Sequence, residues 1–176
     1  MARESGPAKE TAIFAAPLHR IAWAYALLAA PDGDPPALPA SLATALVRLR
    51  EAMLAHPVLV GNVGVLDSDI MQYSGGRIVA TLGAEGLICL AVPERGLGIA
   101  IASADGMPRG LGPAAIAVLQ QLDLADAVMT GALRERHAGP VPSFKGAPFG
   151  EIRPRLTLEF AQEIRGKHDP GTAATT

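Results

Sequence analysis

The chain has 176 residues, a formal net charge of −2, 49% apolar and 18% charged residues, and one cysteine. That length suits a single domain with a real core, and the small net charge gives no reason to expect a nucleic-acid groove or a polybasic membrane contact. Cys89 cannot form an internal disulfide, and a lone cysteine argues against a cysteine-based zinc site.

Residues 1–11 are polar, lack the apolar core of a signal peptide and read as disordered. The apolar run from Ala12 to Ala30 is broken by Pro17, His19 and Arg20. A charge at that depth is costly in a bilayer, so the run is expected to be an amphipathic helix from about Pro17 to Ala30 rather than a span. The expected location is cytoplasmic. Pro31 to Pro36 reads as a turn-rich connector. A second helix, about Pro39 to Ala55, places Leu42, Leu46, Leu49 and Met53 on one face, with Arg48, Arg50 and Glu51 outward. Ser41 is a candidate cap.

His56 to Gly64 reads as a loop, and Asp67 to Met71 as a short helix capped by Asp67. From Arg77 to Gly106 the pattern changes to three short strands joined by tight turns. Ile78, Ala80 and Leu82 alternate with Val79 and Thr81, and Leu87–Val92 and Leu97–Ser103 have the same character. Turns this short force antiparallel neighbours. Ala114–Leu122 reads as a helix covering the sheet, and about Leu124–Arg136 as another. Ala138–Gly150 reads as loop, Glu151–Phe160 as an edge strand. The expected organisation is one domain over residues 12–160 and a tail over 161–176. The expected class is α+β, an antiparallel sheet flanked by helices.

The chemistry-bearing residues are sparse. No serine is followed three positions later by lysine, and no lysine lies between Lys9 and Lys145. A serine–lysine hydrolase needs that spacing so that the amine can take the hydroxyl proton. His19, His56, His137 and His168 show no i, i+4 pair, and Asp67 and Asp69 lack the rest of a calcium ladder. A helix cap and a solvated carboxylate account for the two aspartates. Cys89 reads as a small buried hydrophobe, Ser103 as a strand-end serine, and Gly96-Leu-Gly98 as a turn into a strand. No metal and no cofactor are expected. Glu85, in the turn Gly83-Ala84-Glu85-Gly86, stands where ligands often meet backbone, although an exposed hairpin charge explains it more simply.

Several segments resemble one family. They are Ala52-Met-Leu-Ala-His-Pro-Val-Leu-Val-Gly61, Asp67-Ser-Asp-Ile-Met71, Gly83-Ala-Glu-Gly86, Pro93 to Ile101, Asp105-Gly106 and Gly150-Glu-Ile-Arg-Pro154. In this order and spacing, over about residues 14–156, they are similar to the L-asparaginase II family. The resemblance implies a fold like the carboxy-terminal part of serine β-lactamases and glutaminases, and a family reaction that hydrolyses asparagine to aspartate and ammonia. It implies that Gly83, Ala84, Glu85, Gly86 and Asp105 line a substrate wall. It also implies two lysine positions, which here hold Thr81 and Ala102. The family's Ser-x-x-Lys motif belongs to its other half.

The expectation is therefore a truncated, asparaginase II-like chain that is inactive alone. Two alternatives stand beside it. One is half of a split amidohydrolase completed by a chain carrying the amino-terminal half. The other is a module that reuses the fold to bind a protein or an amino-acid-like small molecule. Homo-oligomers fit the apolar content; nucleic acid and membrane are not expected partners.

Overall fold

The computed structural model describes residues 15–33 and 38–159. The expectations for residues 1–11 and 161–176 lie outside them. Two-residue periodicity builds the sheet: β1 (Val79–Gly83), β2 (Leu87–Val92) and β3 (Leu97–Ala102) pair antiparallel in the order β1-β2-β3. Thr81 lies opposite Cys89, and Cys89 opposite Ala100. The period separates two faces. Ala80, Leu82, Ile88, Leu90 and Ile99 turn to one, and Val79, Thr81, Cys89, Ala91 and Gly98 to the other. The chain is thus α+β, a small antiparallel sheet with helices on both sides.

The first face packs on three helices: α4 (Leu66–Tyr73), α5 (Leu111–Gln121) and α6 (Ala127–His137). Ile70, Leu90, Leu119, Met129 and Leu133 are fully buried between them. Each such side chain contributes about 1.5–3 kcal/mol relative to exposure. Asp126 caps α6 by accepting from the Met129 amide at 2.8 Å. Asp67 does not cap α4: Val65 occupies the cap position, and Asp67 lies inside the first turn.

The second face carries small residues and is covered by α1 (Leu18–Ala29). A Cβ at Gly98 would overlap the Ala22 carbonyl oxygen and the Ala26 amide, so the helix backbone lies directly on the strand. α2 (Ala40–Ala55) forms an outer layer and has no fully buried residue. Only Leu46, Met53 and Leu54 join the core beside α1, while Leu42 and Leu49 remain exposed. That side of the sheet is already occupied by α1. Ser41 makes no cap, because Pro39 stands at that position. Arg50 turns inward to donate to the Ala29 carbonyl at the end of α1.

The loop expected after His56 contains a single helical turn, α3 (Pro57–Val60), started by Pro57. The loop expected over 138–150 contains a small hairpin, β4 (Val141–Pro142) with β5 (Pro148–Gly150). No strand follows β5 up to Glu159. Pro154 interrupts that segment, and Gln121 binds it instead, donating to the Leu156 carbonyl at 3.1 Å and accepting from the Leu158 amide at 2.9 Å. Among the described residues no helix is long and apolar enough to cross a membrane.

Candidate functional site

Two turns meet at one end of the sheet. The first joins β1 to β2 through Ala84, Glu85 and Gly86; the second follows β3 at Ser103 to Gly106. Glu85 and Gly86 both have positive φ, at 60° and 68°. Glycine adopts that region freely, whereas a glutamate there costs about 1–2 kcal/mol. Such strain concentrates where function holds a residue in place. The Ser103 amide donates to the Gly86 carbonyl at 2.8 Å. A Cβ on Gly86 would come within 2.9 Å of both the Gly106 carbonyl carbon and the Ser103 Cβ. Glycine is therefore required for the two turns to touch.

This packing puts Glu85 beside the turn that carries Asp105. Their chemical situations differ. Asp105 accepts from the Ser103 hydroxyl, from the Met107 amide at 3.0 Å and from Arg109 Nη2 at 3.1 Å. The Ser103 bond, with the Met107 amide next, holds its carboxyl below the usual range, against a smaller opposing effect of desolvation. Its oxygens shape the turn. Glu85 is exposed and its carboxylate makes no hydrogen bond among the described residues.

Thr81 and Ala102 lie on the α1 face, with Ala102 two residue pairs closer to the turns. Thr81 Oγ1 shares a short hydrogen bond with the Tyr25 hydroxyl of α1. Burial pushes the Tyr25 hydroxyl above its ordinary range, opposed by the bond to Thr81. Burial also pushes the Cys89 thiol up to about 11, opposed by a bond from Tyr25. A neutral cluster of Tyr25, Thr81 and Cys89 therefore fills this part of the face. Ala102 is exposed and carries no functional group.

The pair Asp67 and Asp69 departs furthest from expectation. They are 2% and 3% exposed, not solvated. Asp67 accepts from the Ser68 amide at 2.8 Å and from the Leu82 amide at 2.9 Å, tying α4 to the end of β1. Gly61 makes room for it, since a Cβ there would overlap the Asp67 carboxylate. Asp69 Oδ2 lies 2.8 Å from His137 Nε2 and 3.6 Å from Arg136 Nη1. The wholly apolar setting of the Asp67-Ser-Asp69 triplet was the available cue. His137 offered none, because its partner is 68 positions away. Among the described residues no three metal-ligating side chains come together.

A helix-flanked antiparallel sheet with two touching glycine turns at one end defines the chain as an α+β protein. The family model described as L-asparaginase II matches residues 10–154. The chain belongs to the L-asparaginase II family. No curated protein matches it.

Proposed function

We propose that this chain, by itself, lacks the amidohydrolase activity of its family and retains the ligand wall of the fold. The observation that carries this reading is the Tyr25–Thr81 hydrogen bond with Cys89 beside it. Thr81 is the position at which the family resemblance places a lysine. A hydroxyl there supplies neither a positive charge nor an amine that takes up a proton near neutral pH. Ala102 supplies no polar group at the second such position, and the sequence holds no Ser-x-x-Lys. Catalytic groups act as units, so the loss of several removes most of the acceleration. The purified chain is expected to release no ammonia from asparagine above the buffer rate. Turnover near the enzyme median of about 10 per second would overturn the reading.

The wall formed by Gly83, Ala84, Glu85, Gly86 and Asp105 is read as binding an amino-acid-like molecule. Glu85 supplies the unengaged negative charge for an ammonium group, and Asp105 positions the adjoining turn. Asparagine, aspartate or glutamine at millimolar concentration is expected to raise the unfolding temperature. Glu85→Gln is expected to abolish the shift; a shift that survives the change would remove Glu85 from the role.

A second reading is favoured by β3, whose outer edge has no strand neighbour among the described residues. An open edge invites another strand. In that reading a chain carrying the serine–lysine pair completes the sheet. Co-expression with such a chain tests it: a stable complex that hydrolyses asparagine supports the split enzyme, and two independent monomers exclude it.

A further inference from the structure

The outside of α2 carries an apolar seam. Leu42, Ala45, Leu49 and Ala52 all lie on its exposed side, with Leu42 45% and Leu49 51% exposed. Their spacing of three, four and three residues keeps them within about 80° of one another around the axis, at roughly 100° per residue, along about 15 Å of helix. Leu46 and Met53 border the seam on one side and pack beneath it beside α1. Arg48 borders it on the other side and is exposed. The seam itself holds no charged or polar side chain. A surface helix ordinarily presents one apolar face, to its own core; α2 has that face and carries a second.

Large and small residues alternate along the seam, and this decides what fits against it. Two helices lie at a nearly constant separation of about 8–10 Å. Leucine facing leucine and alanine facing alanine would therefore alternate crowding with voids. A second copy of α2 running antiparallel, related by a two-fold axis level with Val47, brings Leu42 opposite Ala52 and Ala45 opposite Leu49. Every layer then sets one large residue against one small one. A two-fold interface must be self-complementary, and the reversed seam matches its own forward sequence. A parallel copy would instead stack Leu42 on Leu42 and Ala45 on Ala45. No charge is trapped at the antiparallel contact.

We propose that two copies of the chain associate through α2 in this antiparallel register. Four side chains from each copy make a contact at the small end of specific interfaces, so the dimer is weak, with a dissociation constant on the order of 100 µM. The two Arg48 side chains fall on the same side of the seam at nearly the same level, and their repulsion opposes the contact. Salt screens that repulsion, so association strengthens as salt is added. α2 touches α1 and β1, and β1 and β3 are opposite edges of the sheet. The interface is therefore separate from the open edge of β3, and it depends on neither reading of the function.

Sedimentation equilibrium of the full chain from about 10 µM to about 1 mM tests the proposal. A monomer–dimer equilibrium is expected, tighter in high salt. Leu49→Glu and Ala45→Glu each place a charge at the contact and are expected to weaken it at least about a hundredfold. Both positions are exposed in the single chain, so both variants keep the circular dichroism of the parent. Val128→Ser removes an exposed apolar side chain from α6, on the other side of the sheet, and is expected to leave association unchanged. The register is read from cysteine variants. Ala45→Cys and Leu49→Cys, mixed and oxidised, are expected to form the mixed disulfide in preference to either self-disulfide, because a disulfide needs Cβ atoms about 4 Å apart. Cys89 is buried and does not compete. A chain that stays monomeric throughout, association that weakens in salt, a dimer that survives both glutamate variants, an equal loss in Val128→Ser, or self-disulfides in place of the mixed one would overturn the proposal.

Discussion

The two faces of the three-stranded sheet are covered by opposite means. On one, long and branched side chains from α4, α5 and α6 fill volume, and the buried Asp67 ties a helix to a strand. On the other, glycine and alanine let the backbone of α1 come down onto β3, and a neutral hydrogen-bonded cluster fills what remains. The first face depends on bulk and on satisfied buried polar groups. The second depends on the absence of bulk. The same class of substitution should therefore have opposite consequences on the two sides: adding atoms harms the α1 face, and removing them harms the other.

The contrast can be broken most severely at Gly98. Gly98→Val is expected to dislodge α1 and cost about 3 kcal/mol or more, because the new side chain meets helix backbone that cannot yield locally. Urea unfolding followed by circular dichroism measures both the stability and the lost helix. A cost below about 1 kcal/mol would mean that α1 is not seated as described. On the other face, Asp67→Ala removes the acceptor for two amides and is expected to cost about 2–3 kcal/mol. Accelerated hydrogen exchange at the Leu82 amide would locate the damage.

The neutral cluster should show itself in the response to alkali. Burial pushes the Cys89 thiol up to about 11, from about 8.5 in an open chain. The folded protein therefore keeps a proton that the unfolded chain gives up. The contribution is complete below about pH 8.5 and is lost as pH rises toward 11. Urea midpoints are expected to fall across that window and to fall less in Cys89→Ala; an equal fall in both would remove Cys89 as the cause. Tyr25→Phe is expected to cost about 1 kcal/mol, the typical worth of a single hydrogen bond. The smallest effect belongs to the outer surface. Leu59 is 84% exposed, so Leu59→Ser should stay within about 0.5 kcal/mol. A larger loss would mean that α3 is covered in solution.

The strands and their turns were legible because period-two alternation and glycine placement are local signals. Gly83, Gly86 and Gly106 mark the turns directly, and short turns leave only antiparallel pairing. The burial of α2 was not legible. Helical spacing identifies an apolar stripe, but whether a surface is left to receive it depends on α1, a separate element. The same reasoning covers the stretch after β5, where Gln121 replaces a strand partner. At the candidate wall, Glu85 could be singled out from its turn, but the internal use of Asp105 required knowing where Ser103 and Arg109 fall. The Asp69–His137 pair was hidden for a plainer reason: it is made only by tertiary packing between α4 and the end of α6.

Gly98 also separates two kinds of inheritance. Its lack of a side chain is demanded by a helix backbone, whatever reaction the protein does or does not perform. On the same face of the sheet Thr81 meets a side chain, that of Tyr25, and Ala102 is exposed, so neither is pressed against helix backbone as the glycine is. In descendants of a common ancestor, the glycine should persist for as long as α1 docks on β3, even after chemistry has been abandoned. The two neighbouring positions are then free to drift as soon as selection for chemistry ends. A relative that keeps the glycine and has lysines at those two positions would mark the branch at which the lineages parted.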